Sequence, residues 1–149
     1  MSDWADNPRL NTWLATQEAA FPVWSRETGQ QWDFSVESLD RLEKLLLERF
    51  DGWDDMLAAE EAEDPDVMVP GWYIGEVQNR NCGTSWYRNP VVPTHPDQPK
   101  TPFVQLPDDP DAGYEDDIPP GNNPFTEIRG LFVPHPNRHL RDVVLRYRA

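Results

Sequence analysis

One stretch near the middle of the chain constrains the fold more than any other, because it predicts a helix that turns directly into a strand. It runs from Trp72 to Trp86 and reads WYIGEVQNRNCGTSW. Gly83 marks the predicted helix end, since glycine readily takes the left-handed backbone conformation favoured one position past a helix C-terminus. Gly75 beside Glu76 would let another element approach the helix closely. The stretch is therefore predicted to be the helix-to-strand pivot of the fold.

Two further helices are predicted before this pivot. Asn7 is a favourable N-cap, and Pro8 suits the first helical position. They predict a helix that continues to about Ala20 and is stopped by Pro22. A second helix is predicted from Val36 to about Phe50, with Ser35 as its N-cap and an apolar stripe of leucines. A short helix after Trp53 is compatible with the residues that follow.

The second half of the chain predicts a strand pair and two short helices among many loops. Residues 101–106, TPFVQL, form the natural antiparallel partner of residues 84–88, and prolines cluster between 90 and 124. Helical spacing recurs from Asn123 to Phe132, and Asn137 is predicted to cap a last helix to about Arg146. We therefore predict one α+β domain, residues 1–149, with four or five helices packed on a small antiparallel sheet.

The formal net charge of −14 is the strongest compositional signal, and it is unevenly distributed. Residues 1–128 carry a net −18, whereas residues 129–149 carry +4 because of their arginines. Such a surface repels phosphates and anionic membranes, so direct binding to nucleic acid or membrane is disfavoured except through these arginines. A basic protein partner is favoured, and a purely solubilising role of the acids is the simpler alternative.

The acids concentrate in two segments, residues 51–66 and 107–117, which are the candidate partner-binding surfaces. Neither segment contains a basic residue. The candidate residues in them are Asp54, Asp55, Glu60, Glu61, Asp108, Asp109, Asp111, Glu115, Asp116 and Asp117.

No catalytic residue, metal site or cofactor is predicted. The chain lacks a phosphate-binding loop and a nucleophile signature, and its single Cys82 follows a predicted helix end, where the helix dipole raises a thiol pKa. His135 and His139 are four residues apart, but the intervening Pro136 and Asn137 keep them off one helical face. A lone cysteine, an amino terminus without an apolar leader and no membrane-length apolar run lead us to expect a cytoplasmic protein.

Glu76 and Arg80 are the one pair of charged residues that we single out as a possible site, and together with Trp86 they are the candidate pocket residues. They are four apart in the favourable Glu-before-Arg order, which is typical of a surface ion pair on a helix. The alternative hypothesis is that Glu76 is partly buried and bonds to the backbone or to the Trp86 N–H. It would then fix how helix and strand pack.

The run from Trp72 to Val77, followed by Arg80, Gly83 and Trp86, resembles the YxGEV, Arg, Gly, Trp core of small bacterial domains of unknown function, frequent in actinomycetes. Asn123-Pro124-Phe125 followed by Ile128 resembles their last helix. The resemblance spans residues 35–147 and implies helices covering one face of a small antiparallel sheet. Some such domains act as immunity or accessory proteins.

Three functional hypotheses follow. The first is a non-enzymatic binding protein whose acidic surface engages a basic protein, such as a toxin neutralised by an immunity protein. The second is a small enzyme or ligand-binding domain that uses a tryptophan-lined pocket near Glu76 and Arg80. The third is a nucleic-acid mimic, in which carboxylates replace phosphates. The oligomeric state is left open.

Overall fold

Five α-helices and three short strands surround a sixth, long central helix in a computed structural model, which describes residues 2–95, 100–134 and 138–147. The three strands form one antiparallel sheet in the order β1-β2-β3. The α+β class is confirmed, with six helices in this part of the chain where four or five were predicted. The elements are α1 (Pro8–Thr28), α2 (Ser38–Arg49), α3 (Trp53–Glu61), α4 (Pro65–Cys82), β1 (Ser85–Tyr87), β2 (Phe103–Gln105), β3 (Gly121–Asn122), α5 (Pro124–Gly130) and α6 (Asp142–Leu145).

The central helix α4 is apolar around nearly its whole circumference, and it packs against every other helix and against the sheet. It begins at Pro65, seven residues before Trp72, where the predicted helical stretch begins. The Asp64 side chain accepts the Asp66 N–H at 2.9 Å and caps this start. Pro70 lacks one helical hydrogen bond, but its ring is buried in the core, and this packing offsets the loss. The helix ends at Gly83 with φ of 76°, as predicted.

The first helix, α1, continues through Pro22, so the prediction that this proline ends it is wrong. Pro22 is exposed, whereas Trp24 in the following turn is buried in the core, and that burial favours continuing the helix past one missing donor. The helix ends at Gly29, whose left-handed φ of 69° and N–H bond to the Arg26 carbonyl close its last turn. Its predicted start is confirmed, since the Asn7 side chain accepts the Leu10 N–H.

The other helix boundaries differ from prediction at their ends. α2 begins at Ser38 and not Val36, because residues 36–37 form a turn in which Ser35 Oγ accepts the Ser38 N–H. α6 covers only Asp142–Leu145 of the predicted last helix, and the predicted cap Asn137 lies outside the described residues. Most of the predicted inward positions in these helices are buried, whereas Leu45 and Tyr147, also predicted to face inward, are only partly buried; the buried ones include Leu39, Leu42, Leu46, Leu140, Val143 and Val144.

Aromatic rings fill the core on both sides of α4. Trp13 packs edge-on against Trp86 at 5.3 Å between ring centroids, and Trp24 lies 4.9 Å from Trp32. Five of the seven tryptophans are buried, which confirms a core role for most of them. The buried tryptophans are Trp13, Trp24, Trp32, Trp72 and Trp86.

The sheet lies on α4 through the close approach of β1. Trp86 of β1 and its partner Val104 of β2 point towards the helix and are buried. The Trp86 ring lies directly over Gly75, where a Cβ would overlap the ring atoms. The predicted close approach at Gly75 is confirmed.

The Tyr73 hydroxyl ties α4 to the segment that leads into α2. It accepts the Phe34 N–H at 2.9 Å and shares a 2.7 Å hydrogen bond with Ser38 Oγ. Phe34 has a left-handed φ of 61°, unusual for a bulky residue, and its ring stacks on Tyr73 at 4.8 Å. Burial raises the pKa of Tyr73 above its ordinary value.

Replacing Gly75 by alanine is expected to destabilise the protein by about 1 to 3 kcal/mol, because the new methyl group displaces the Trp86 ring. Chemical denaturation of the wild type and the variant measures this difference. Gly52→Ala is the matched control, since nothing lies within 4 Å of a Cβ at that position. Equal midpoints for Gly75→Ala and wild type would contradict the packing described.

Removing the Tyr73 hydroxyl is expected to lower the free energy of unfolding by about 1 to 2 kcal/mol at neutral pH, since the Phe34 N–H loses its acceptor. Because burial raises the folded-state pKa of Tyr73, its contribution is present below the unfolded tyrosine pKa of about 10 and declines above it. The stability difference between wild type and Tyr73→Phe should therefore shrink as pH rises from 9 to 11. A difference that grows over this range would refute the assignment.

Candidate functional site

Glu76, Arg80 and Trp86, the candidate pocket residues, contact one another at the helix-to-strand pivot. Trp86 Nε1–H donates to Glu76 Oε2 at 2.8 Å, which confirms the hypothesis that Glu76 holds the strand tryptophan. Arg80 Nη2 lies 3.7 Å from Glu76 Oε1, and its guanidinium covers the Phe34 ring at 3.6 Å. None of the three lines any of five cavities found among the described residues. Their contacts are those of a packing element.

Glu76→Gln is expected to destabilise the protein by about 1 kcal/mol, because a neutral amide accepts the Trp86 N–H less strongly than a carboxylate does. The melting temperature measures the effect. Glu48→Gln, at an exposed position of α2, is the matched control. An unchanged melting temperature in Glu76→Gln would show that the charge is dispensable for packing.

The acids of α3 divide into paired and unpaired groups. Glu60 forms a two-pronged ion pair with Arg129 of α5, at 2.9 Å and 2.6 Å, and is largely buried. Glu60 therefore joins α3 to α5 and is not a free surface charge. Asp54, Asp55 and Glu61 are exposed, and none of them forms an ion pair with another described residue.

The carboxyl-terminal cations bind acids of this same chain. Arg141 pairs with Asp40 of α2 at 2.6 Å, and Arg146 pairs with Glu127 of α5 at 2.6 Å. Glu43 of α2 bonds to the His139 ring at 3.1 Å and raises the pKa of that histidine. The basic segment therefore neutralises part of the helical surface, and the uncompensated acids lie elsewhere.

The second acidic segment, residues 107–117, belongs to a long excursion between β2 and β3. Its ends are held together because the Leu106 N–H donates to the Pro120 carbonyl at 2.9 Å, next to the β2–β3 pairing. Gly113, Asp116 and Asp117 all have positive φ, and they turn the chain back towards the sheet. Every acid in the segment is exposed, and none forms an ion pair within the part of the chain that the structure describes.

The excursion encloses a groove on the outer face of the sheet, the face turned away from α4. Phe103 of β2 points to this face, with Trp4 edge-on at 6.1 Å and Tyr87 stacked at 5.9 Å. The groove has a volume of about 730 Å³. A second cavity of about 400 Å³ continues it past Ile118, which is 66% exposed. We call the two together the outer-sheet groove; its walls comprise Trp4, Ala5, Tyr87, Phe103, Gln105, Asp108, Glu115, Asp116, Asp117, Ile118, Pro119, Pro120, Gly121, Asn122 and Asn123.

This arrangement suits a cation attached to an apolar body. Aromatic faces and exposed carboxylates both attract ammonium and guanidinium groups, and the apolar floor contributes burial that a bare acidic surface lacks. Four predicted partner-binding acids, Asp108, Glu115, Asp116 and Asp117, line the outer-sheet groove. Asp109 and Asp111 lie in the same excursion, where the Asp109 side chain accepts the Asp111 N–H, but they do not line it.

The aromatic floor was not predicted as a site, although the alternation in TPFVQL places Phe103 and Val104 on opposite faces of β2. Val104 is buried against α4 and Phe103 is half-buried on the outer face, as that alternation requires. No sequence pattern placed Trp4 beside the sheet, because its position depends on a tertiary contact. The Arg88 N–H donates a hydrogen bond to the Trp4 carbonyl. Ile118 is the single large aliphatic residue within the acidic and proline-rich run of residues 107–123, and this was the available indication that the run forms one wall of a groove.

No cluster of three or more histidine, cysteine or acidic residues suited to a metal ion occurs among residues 2–95, 100–134 and 138–147. His135 lies outside these described residues, so the predicted separation of His135 and His139 is not tested. Cys82 is partly buried, and its Sγ lies 3.8 Å from the Val144 carbonyl. Within the same ranges, no helix has both the length and the apolar character to cross a membrane.

Comparison of the chain with protein-family models, with curated protein sequences and with solved structures finds no match. The resemblance carried by Trp72–Val77, Arg80, Gly83 and Trp86 therefore stays a prediction. What can be argued about function rests on the geometry of the groove and on the distribution of charge.

Proposed function

We propose that this protein is a non-enzymatic binding protein whose outer-sheet groove takes a lysine- or arginine-rich segment of a basic partner protein. The observation that carries the proposal is the pairing of an aromatic floor with a rim of carboxylates that form no ion pair with a described residue. Acids elsewhere, such as Glu60 and Asp40, are already neutralised by arginines of the chain. Among the acids that form no ion pair with a described residue, Asp108, Glu115, Asp116 and Asp117 line a groove that also contains aromatic rings.

The partner's chemistry follows from this combination. Cationic side chains would pair with Glu115, Asp116 and Asp117, while their aliphatic stems and neighbouring apolar residues would pack on Phe103 and Trp4. Long-range attraction by a chain of net charge −14 would accelerate the encounter, and the apolar floor would select among basic segments. An immunity or accessory role needs a partner of this kind. No observation favours the enzyme or the nucleic-acid mimic over this proposal.

A defined probe tests the groove directly. The probe is a fluorescein-labelled ten-residue peptide alternating arginine and leucine, and its neutral analogue carries citrulline for arginine. Glu115→Gln, Asp116→Asn and Asp117→Asn combined should weaken binding of the arginine peptide about tenfold, if each rim contact contributes about 0.5 kcal/mol. Asparagine tolerates the positive φ of Asp116 and Asp117, so the loop conformation should survive. Fluorescence anisotropy at low and high salt measures the affinities.

The matched control removes the same number of charges from α3, whose acids Asp54, Asp55 and Glu61 line none of the five cavities. Asp54→Asn, Asp55→Asn and Glu61→Gln combined should change the affinity less than threefold. Equal weakening by the two triple variants would mean that only net charge is sensed and would refute the groove as the site. Equal binding of the citrulline peptide would refute the requirement for cations.

A photo-crosslinking experiment, combined with the groove triple variant, extends the test to the natural partner. A photo-crosslinking residue at Ile118, with one at the exposed Leu47 of α2 as control, is used in lysate of the source organism at low and high salt. The proposal expects a Lys- or Arg-rich segment crosslinked at position 118, absent at position 47, and lost in the groove triple variant. An acidic or neutral crosslinked segment would refute it.

A further inference from the structure

Another cavity, of about 530 Å³ and separate from the outer-sheet groove, contains two arginines in its lining, whereas the groove is lined by carboxylates. It lies beside the first turns of α1, between the start of α4 and the end of β1, and its volume is that of a small-molecule pocket. We call it the arginine pocket. Its lining residues are Pro8, Arg9, Thr12, Trp13, Thr16, Gln17, Glu63, Met68 and Arg88.

Two arginines line this pocket, and every hydrogen bond that their guanidinium groups donate to a described residue goes to a backbone carbonyl group. Arg9 Nη1 donates to the carbonyls of Asn89 at 2.6 Å and Val91 at 3.0 Å. Arg88 Nη1 donates to the Arg9 carbonyl at 3.2 Å, and Arg88 Nη2 donates to the Lys100 carbonyl at 2.9 Å. These bonds hold both side chains in place, and neither guanidinium forms an ion pair with a described residue, although Glu63 also lines the pocket.

Five described arginines form no ion pair with a described residue, namely Arg9, Arg26, Arg41, Arg88 and Arg138, and the pocket brings two of them together. Arg49, Arg129 and Arg141 each form an ion pair shorter than 3 Å. Neither Arg9 nor Arg88 forms an ion pair within the described ranges, although the chain has twice as many acidic as basic residues. Burial, followed by the nearby Arg9 charge, lowers the pKa of Arg88, and Glu63 only partly opposes this. With two arginines and one glutamate in its lining, the pocket carries a net charge of +1 in an acidic protein.

The rest of the lining supplies neutral hydrogen-bonding groups and an apolar wall. Gln17 is only 4% exposed, and its carboxamide makes no hydrogen bond to another described residue. The Thr12 hydroxyl is likewise unbonded within that part of the chain, whereas Thr16 Oγ1 donates to the Thr12 carbonyl. Trp13 and Met68 form the apolar side. Because Gln17 lines the cavity and its amide bonds to no other described residue, the amide is available to hydrogen-bond a ligand atom.

We propose that the arginine pocket binds a small organic oxyanion, a carboxylate or phosphate attached to an apolar body. The anionic group would lie between Arg9 and Arg88, since guanidinium groups bind both kinds of oxyanion through paired N–H donors. The Gln17 amide and the Thr12 hydroxyl would complete its hydrogen bonds, and the apolar body would contact Trp13 and Met68. The inference is independent of the groove and of its basic partner.

Three probes of similar size separate the ligand classes: phenyl phosphate, benzoate and the neutral benzyl alcohol. Isothermal titration calorimetry at constant chloride should show binding of at least one oxyanion and much weaker binding of benzyl alcohol. The tighter of the two oxyanions identifies the preferred head group. Failure of both oxyanions to bind, or equally tight binding of benzyl alcohol, would overturn the proposal.

Two variants with a matched control locate the binding. Arg9→Gln should weaken the oxyanion at least tenfold, whereas Arg26→Gln, at an exposed position of the same helix, should leave it unchanged. Thr12→Glu keeps both arginines and changes an exposed helical position, so the fold should be retained while its carboxylate competes for the pocket. It too should weaken binding at least tenfold. Unchanged affinity in a folded Thr12→Glu variant, or equal loss in Arg26→Gln, would refute the assignment.

Discussion

The contact between Trp86 and α4 is the constraint on which the arrangement of helices and sheet depends. It combines a glycine that leaves room for the ring, a carboxylate that fixes the indole nitrogen, and a left-handed glycine that reverses the chain within three residues. Each of these elements is local in sequence, between Gly75 and Trp86. Because β1 is thereby anchored to the core, its partner β2 presents Val104 inward and Phe103 outward. The outer-sheet groove exists as a consequence of that inward anchoring.

The charges of the chain are arranged in two different ways. Where acids meet arginines of α5, α6 and the carboxyl-terminal segment, they form ion pairs that join helices. Such exposed pairs contribute little individually, but they remove charge from the surface available to a partner. Other charged groups form no ion pair within the described residues, and among these the acids at the groove rim and the two arginines of the arginine pocket line cavities. Unbalanced charge next to apolar surface is thus found at two places of opposite sign.

The sequence predicted those features that depend on near neighbours. The caps at Asn7 and Gly83, the pairing of residues 84–88 with 101–106 and the Glu76–Trp86 bond all involve short spacings, and the structure contains each of them. Helix ends near Pro22 and Pro70 were misplaced, because burial of the flanking side chains outweighs the loss of one hydrogen bond. β3 was missed because it has only two residues and is defined by its pairing with β2.

The candidate sites were less predictable than the fold. The acidity of residues 107–117 is visible in the sequence, but the aromatic floor needs Trp4, Tyr87 and Phe103 to meet across about a hundred residues. Arg9 and Arg88 likewise meet only through the tertiary fold, and no local spacing links them. The paired state of Glu60 was equally hidden, since its partner Arg129 belongs to another helix.

The closure of the excursion between β2 and β3 has an evolutionary consequence. Its two ends are joined by the Leu106–Pro120 bond and the adjoining ladder, so the residues between them are not needed to hold the core together. Doubling the length of a closed loop costs only about 0.6 kcal/mol of chain entropy. Insertions, deletions and charge changes there would alter the wall of the groove while leaving the scaffold of α4 and the sheet intact. Related chains can therefore diverge in partner choice much faster than in architecture.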